Sequence, residues 1–166
     1  MPQNAVILVV DDLEEDILLL KRALEVAGVK NPVMAVRSGE EAIAYLAGEG
    51  NYWRRTEFPL PRLILLDLKM PGMDGFDVLE WTRKRKQFAG IAIIVLSSSD
   101  SNKDVQLAYD LGANSYIVKE AEFQNMVALS KMLGGYWLSL NRFRDGGRSH
   151  NEGRGTASGE GRVNAE

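Results

Sequence analysis

The chain has 166 residues, of which 45% are hydrophobic and 26% are charged, a composition that fits one globular domain with or without a tail. Its net charge of −3 gives no basic field that would recruit DNA or RNA, and the lack of cysteine excludes disulfides, thiolate nucleophiles and cysteine zinc sites. No apolar stretch approaches the roughly 20 residues that span a bilayer, and the N-terminus lacks a basic region ahead of an apolar core. We therefore expect a cytoplasmic protein with neither a membrane nor a nucleic acid as partner.

Five short apolar runs alternate with segments of helical spacing. The apolar runs predict strands at residues 5–10, 32–36, 63–67, 91–96 and 115–118. Helical spacing predicts five helices, near residues 13–27, 39–47, 76–83, 105–111 and 123–140. Ser38 is the predicted N-cap of the second helix, with Glu41 as its capping-box partner. This alternation predicts an α/β fold with a doubly wound five-stranded parallel sheet, a three-layer (βα)5 sandwich with an extended last helix.

Two segments depart from this pattern. The connection 48–61 is long and carries Tyr52, Trp53 and Phe58, so it is either a surface loop that buries its own aromatic rings or a loop that docks a partner. The segment 145–166 is rich in Gly, Ser, Asn and charge, and we expect a disordered tail after a domain of residues 1–144. The single histidine, His150, lies in that tail, where a catalytic or metal-binding role is not expected.

Acidic residues stand where two of the apolar runs end. Asp11 and Asp12 follow the first strand and Asp67 ends the third, so their side chains are expected to meet at one edge of the sheet. Ser97 and Lys119 lie just past two further strands. Three crowded carboxylates repel one another unless a cation neutralises them, and Mg²⁺ is the hard cation that oxygen ligands favour. The sequence therefore predicts a Mg²⁺ site beside Asp67.

Simpler interpretations explain less of this pattern. A charge pair at the start of the first helix would account for Asp11 and Asp12 through the helix dipole, but not for Asp67. The third strand is similar to a Walker B strand, yet the chain has no Gly-x-x-x-x-Gly-Lys-[Ser/Thr] loop. A haloacid-dehalogenase phosphatase would need a second aspartate two positions after Asp67, where Lys69 stands.

Four motifs follow one another along the chain: Val-Val-Asp-Asp at 9–12, Leu-Leu-Asp-Leu-Lys-Met-Pro-Gly-Met-Asp-Gly at 65–75, Val-Leu-Ser at 95–97 and Tyr-Ile-Val-Lys at 116–119. Through these motifs the chain, from residue 5 to about 140, resembles the receiver domain of two-component response regulators. The resemblance implies a flavodoxin-like fold for the predicted parallel sheet.

The resemblance also implies a role for each acidic position. Asp67 matches the aspartate that accepts a phosphoryl group from a kinase phosphohistidine. Asp12 matches the direct Mg²⁺ ligand, Asp11 the ligand that acts largely through water, and the backbone carbonyl of Lys69 the third protein ligand.

Further positions match residues that contact the phosphoryl group. Lys119 would place a cation on one phosphoryl oxygen, and the Ser97 hydroxyl and Ser98 backbone N–H would donate to others. Ser97 and Tyr116 match the pair that switches the fourth helix, fifth strand and fifth helix between two pre-existing states.

One position departs from the usual family pattern. Most members have a proline after the lysine, joined by a cis bond, whereas Glu120 follows Lys119 here. We expect a trans bond that re-aims the start of the last helix, because a cis bond without proline costs about 3 kcal/mol. The alternative is a retained, strained cis bond.

The chain resembles the response regulators paired with phytochrome-type and other sensor histidine kinases in bacteria. The features that carry this resemblance are the missing proline, the aromatic loop and the long last helix. Trp137 and Leu140 of the last helix fit two roles: closing the core, or forming with strand five a homodimer face. Gly134 and Gly135 should loosen that helix by about 1 kcal/mol each relative to alanine.

The sequence predicts a single-domain response regulator that takes a phosphoryl group from a sensor histidine kinase and acts on a downstream protein target or phosphotransfer protein. It predicts no enzyme activity beyond self-phosphorylation from small phosphodonors and loss of its own phosphoryl group. An adaptor that works without phosphorylation is the main alternative, although it would not need all of Asp11, Asp12, Asp67, Ser97 and Lys119. A small-substrate phosphohydrolase would lack a second acid or base near Asp67.

Overall fold

The computed structural model describes residues 4–143. These form a five-stranded parallel sheet with strand order β2-β1-β3-β4-β5, which confirms the predicted doubly wound flavodoxin-like fold. The strands are β1 (Ile7–Val10), β2 (Val33–Val36), β3 (Leu63–Leu66), β4 (Ala92–Ser97) and β5 (Ser115–Val118). The predicted tail 145–166 with His150, and the predicted domain ends at residues 1 and 144, lie outside the described residues.

Five α-helices connect and cover the strands. They are α1 (Glu14–Val26), α2 (Gly39–Ala47), α3 (Gly75–Arg83), α4 (Asn102–Asp110) and α5 (Phe123–Gly135). Ser38 caps α2 as predicted, its hydroxyl accepting the Glu41 N–H at 3.1 Å. The capping box itself is not formed, because the Glu41 carboxylate accepts the N–H of Arg37 at 2.8 Å instead.

Two apolar layers hold the helices to the sheet. Alternate residues of β1 point to opposite faces, so Leu8 packs with α2, α3 and α4 while Val9 packs with α1 and α5. The central strands β1, β3 and β4 are buried along their whole length, as expected of a parallel sheet covered on both faces. The rigid sheet therefore fixes where the loops at its carboxyl edge begin.

The last helix differs from its predicted form. Instead of one α-helix to Leu140, α5 ends at Gly135 and one π-helical turn, Tyr136–Leu140, follows. The Ser139 hydroxyl donates to the Gly134 carbonyl at 2.8 Å within this wider turn. The turn follows the two glycines, which hold an α-helix less firmly than other residues do.

The C-terminal end of that helix tests the predicted role of its apolar residues in closing the core, whereas their role in a homodimer stays a prediction. Trp137 is half-buried and Leu138 is buried, both against the layer of α1 and α5, so they close the core. Leu140 is 74% exposed and takes no part in that closure.

The connection 48–61 folds back on α2. The guanidinium of Arg55 donates to the carbonyls of Tyr45 (2.7 Å) and Leu46 (2.6 Å) near the C-terminus of α2. Tyr52 and Phe58 pack against each other and against Tyr45. Two of the three loop aromatics thus stabilise the fold, while Trp53 is 65% exposed.

Within residues 4–143 no helix combines the length and apolar character that a membrane crossing requires.

Candidate functional site

Three carboxylates meet at the carboxyl edge of the sheet. Asp11 follows β1 and Asp67 follows β3, and both side chains are buried, whereas Asp12 is half-buried. One oxygen from each carboxylate lies within 4.8 Å of the others. The Asp67 N–H donates to the Val10 carbonyl at 2.9 Å, so the backbone pairing of β1 with β3 brings the acids together. The structure confirms that the three predicted acids form one cluster.

Lys119 reaches this cluster from the end of β5. Its N–H donates to the Ser97 carbonyl at 2.8 Å, which ties the lysine to the end of β4. The ammonium lies 2.6 Å from an oxygen of Asp11, 2.9 Å from Asp16 and 3.6 Å from Asp67. One cation therefore stands among several carboxylates at a largely desolvated position.

The cluster strongly perturbs the protonation of its members. Burial raises the pKa of Asp67 to about 6; Lys119 opposes that shift and Asp11 adds to it. Burial alone would lower the pKa of Lys119, but hydrogen bonds to Asp11 and Asp16 outweigh it and raise that pKa. Lys119 thus stays charged, whereas its surroundings disfavour the ionised form of Asp67.

This donor set fits a hard divalent cation. Lys119 supplies one positive charge against Asp11, Asp12, Asp16 and Asp67, which leaves the cluster with an excess of negative charge. A cation that accepts carboxylate oxygens and keeps some waters would offset this excess and favour ionised Asp67. The close approach of the three carboxylate oxygens is the observation that supports such an ion.

The predicted phosphoryl-contacting residues lie at the same carboxyl edge of the sheet as Asp67. Ser97 is fully buried and its hydroxyl accepts the Ser99 N–H at 3.2 Å. Ser98 is exposed, and with Asp67 and Lys119 it lines a pocket of about 260 Å³ between α1 and the start of α5. Asp67 is therefore buried by its neighbours yet reachable from this opening.

Tyr116, the second predicted switch residue, lies on β5 and is half-buried. Its hydroxyl donates to the Ser99 carbonyl at 2.8 Å, and its N–H donates to the hydroxyl of Tyr109 at 3.2 Å. The tyrosine is thus tied to the loop that follows Ser97, the last residue of β4.

Lys69 contacts the site through its backbone and a neighbouring helix through its side chain. Its N–H donates to an Asp67 oxygen at a long 3.4 Å, and its ammonium lies 3.2 Å from Asp104 on α4. The role of its carbonyl as a metal ligand stays a prediction.

Gly75 allows the start of α3 to lie close to the end of β3, because a Cβ there would stand 2.2 Å from the Asp67 carbonyl oxygen.

The bond between Lys119 and Glu120 is trans, as are all peptide bonds in the described part of the chain. The expected trans bond is confirmed, and its effect on the direction of the last helix stays a prediction.

Sequence reasoning missed two acids that contact predicted site residues. Asp16 bonds Lys119 from the first turn of α1, five residues after Asp11. Asp104 accepts both Lys69 and, at 2.6 Å, the Ser99 hydroxyl, which lowers the pKa of Asp104. Charged residues in the first turn of a helix are common, so neither position carried a signal of its own.

The chain is similar to known receiver domains along most of its length. The family model described as the response regulator receiver domain matches residues 7–131. FilR2, a probable methanogenesis regulatory protein of Methanothrix harundinacea, is 33% identical over 82% of this chain and 86% of its own length. Response regulator Rcp1 of Synechocystis sp. is 31% identical over 80% of this chain and 88% of its own.

Solved structures agree with these matches. The crystal structure of phosphorylated RcpA, a cyanobacterial phytochrome response regulator, has a TM-score of 0.78 and 36% identity, covering 84% of this chain and 98% of its own. A crystal structure of Mn²⁺-bound Rcp1 has a TM-score of 0.75 and 29% identity, covering 84% and 99%. Fold, acidic cluster and relatives therefore agree that the chain belongs to the response regulator receiver family of two-component signalling systems.

Proposed function

We propose that this protein is a single-domain, cytoplasmic response regulator that accepts a phosphoryl group on Asp67 from a sensor histidine kinase. The observation that supports this most directly is the setting of Asp67. It is a buried carboxylate between two other acids, with the ammonium of Lys119 at 3.6 Å and a pocket beside it.

Phosphoryl transfer demands positioning and charge neutralisation more than covalent help from the protein. An Asp67 oxygen would form the new bond to phosphorus while the phosphorus–nitrogen bond of the donor histidine breaks and its imidazole leaves. Mg²⁺ held by Asp11, Asp12, Asp67 and the Lys69 carbonyl would neutralise charge on the reacting groups. The ammonium of Lys119 would bind a second face of the phosphoryl group.

The remaining donors come from the end of β4 and from the loop that follows it. The Ser97 hydroxyl and the Ser98 N–H would donate to phosphoryl oxygens. Because the Ser97 oxygen accepts the Ser99 N–H, rotation of the Ser97 side chain toward the phosphoryl group would also move or release Ser99. Because Tyr116 is bonded to the Ser99 carbonyl, movement of this loop would release the tyrosine. We propose this coupled change as the switch between two populated states.

The proposed partners are a sensor histidine kinase and either a downstream protein target or a phosphotransfer protein. The similarity to RcpA, a phytochrome response regulator, supports a phytochrome-like kinase as donor. Exposed apolar residues on β5 and the last helix, among them Val118, Met132, Tyr136 and Leu140, offer a surface for output contacts or for a homodimer.

Intact-protein mass spectrometry after incubation with Mg²⁺ and acetyl phosphate tests the proposal. The native chain should gain the mass of one phosphoryl group, and Asp67→Asn, which keeps the shape of the side chain but cannot form the acyl phosphate, should not. Omission of Mg²⁺ should greatly slow the gain in mass.

A native chain that neither gains mass nor binds beryllofluoride, a stable mimic of the phosphoryl group, would contradict the proposal and favour the adaptor. Sustained hydrolysis of a bulk phosphomonoester would instead favour a phosphohydrolase.

A further inference from the structure

Asp16 is a carboxylate that forms an ion pair with Lys119 but lies outside the acidic trio. The trio consists of Asp11, Asp12 and Asp67. Its oxygen is 2.9 Å from the ammonium of Lys119, closer than the 3.6 Å that separates this ammonium from Asp67. Asp16 stands in the first turn of α1, a different element from those that carry Asp67 and Lys119. Its side chain is about one-third exposed. Lys119 is therefore held across the site, between α1 and β5.

This contact becomes more important once the trio is engaged. Asp11 is the nearest partner of Lys119, but it also belongs to the three acids that can share a cation. A cation bound there would draw the Asp11 oxygens away from the ammonium. Asp16 would then be the carboxylate that still fixes Lys119.

The backbone around Lys119 gives the side chain little other support. Its N–H is bonded to Ser97, but Glu120 and Ala121, which follow it, are exposed and lead into α5 without a side-chain cap on that helix. A lysine side chain has four rotatable bonds, and an ion pair with good geometry limits that freedom.

We propose that Asp16 is a positioning residue: it orients Lys119 toward the phosphoryl site through α1 and binds neither metal nor phosphoryl group itself. The inference rests on the proposed function. It predicts that loss of the Asp16 carboxylate weakens phosphoryl binding through Lys119 while metal binding by the trio is retained.

Asp16→Asn tests this proposal, and Glu15→Gln is its matched control. Glu15 lies in the same helical turn, carries the same charge and is exposed, so its neutralisation reproduces the effects on helix dipole and net charge alone. With Mg²⁺ present, Asp16→Asn should weaken beryllofluoride binding by about 5–10-fold, as expected for a lost charge-assisted hydrogen bond. Glu15→Gln should change it by less than about twofold.

Two further variants separate positioning from general damage. In a Lys119→Gln background, Asp16→Asn should have no additional effect, because the residue acts through the lysine. Asp16→Glu keeps the charge and should restore at least part of the affinity, and it keeps the question testable if the asparagine variant folds poorly. The Mg²⁺ affinity of Asp16→Asn should match that of Glu15→Gln.

NMR of the metal-free protein gives a readout independent of phosphorylation. The Lys119 ammonium resonance, assigned by its absence in Lys119→Gln, should shift or broaden in Asp16→Asn and stay unchanged in Glu15→Gln. Equal beryllofluoride affinities of Asp16→Asn and Glu15→Gln would overturn the inference and leave the proposed function intact. A native chain that binds no beryllofluoride would instead refute the proposed function, while the resonance would still report on the ion pair.

Discussion

Asp67 is a carboxylate whose ionised form the surrounding protein disfavours. It is 6% exposed, two further acids stand beside it, and its closest cation is Lys119 at 3.6 Å. The same features that make its charge costly suit the proposed binding of a neutralising metal and a phosphoryl group. Site chemistry and fold stability are therefore linked at this one side chain.

This linkage predicts how pH changes the stability of the metal-free protein. The pKa of Asp67 is about 6 in the folded state and near 4 in an unfolded chain, so the folded state holds this proton more tightly. The resulting stabilisation is complete below about pH 4 and is lost as pH rises through 6. At pH 7.5, Asp67→Asn should therefore be more stable than the native chain by on the order of 1–3 kcal/mol.

Urea unfolding of the metal-free proteins at several pH values measures this difference, which should shrink toward zero near pH 4. Asp100→Asn is the control, because it makes the same change in net charge at an exposed position. A native chain that is more stable than Asp67→Asn at pH 7.5 without metal would contradict the expected sign.

How far a residue's place in the candidate site could be predicted depended on its distance along the chain from a strand end. Asp11, Asp67 and Lys119 stand directly past strands, so the edge of a parallel sheet had to collect them. Asp16 and Asp104 act through side chains that reach across from helices, and that reach depends on how the helices pack. Local sequence patterns do not encode such packing.

At the scale of elements, a polar chain of contacts links the β3–α3 loop to α4 and β5. Asp104 on α4 accepts Lys69 at 3.2 Å and the Ser99 hydroxyl at 2.6 Å, and the Ser99 carbonyl accepts the hydroxyl of Tyr116. Only Ala108 of α4 is buried, so apolar packing alone fixes this helix weakly. Its polar contacts should therefore contribute substantially to its position.

Asp104→Ala removes the acceptor shared by Lys69 and Ser99. We expect amide hydrogen exchange in the first two turns of α4 to become about 3–10-fold faster, because local opening would cost less free energy. Asp110→Ala, at the far end of the same helix, removes an aspartate that accepts a hydrogen bond from Gln106 and serves as control. Equal exchange in the two variants would show that Asp104 does not hold the start of α4.

Helix and strand order followed from periodicity, whereas the ends of the elements depended on tertiary contacts. All five strands and five helices were predicted in order, because continuous apolar runs and helical spacing are strong local signals. The π-helical turn after Gly135 was not predicted. Whether a helix weakened by glycine widens into a π-turn depends on what its side chains pack against, and the local sequence does not specify that packing. Trp137 and Leu138 have that packing in the core of the folded protein.

At the scale of the whole molecule, the parallel sheet brings residues that are distant in the sequence together in the candidate site. Asp11 and Lys119 are 108 residues apart, yet their side chains are 2.6 Å apart because β1 and β5 both end at the same edge. Helices on both faces keep that edge rigid, and the excess of acids there is stable only as part of the complete fold. The free energy gained by packing the core thus offsets the repulsion between the carboxylates of the site.

A divalent cation should consequently stabilise the whole protein, since its ligands converge only when β1 and β3 are paired. A ligand that binds the folded state alone, at ten times its Kd, adds about 1.4 kcal/mol. Thermal unfolding during a Mg²⁺ titration should show Tm rising by about 3–6 °C at that point. Asp12→Asn should require a much higher Mg²⁺ concentration, whereas Glu15→Gln, with the same change in net charge, should respond like the native chain. Equal responses in all three would mean that the cation screens surface charge and does not bind among the acids that end the strands.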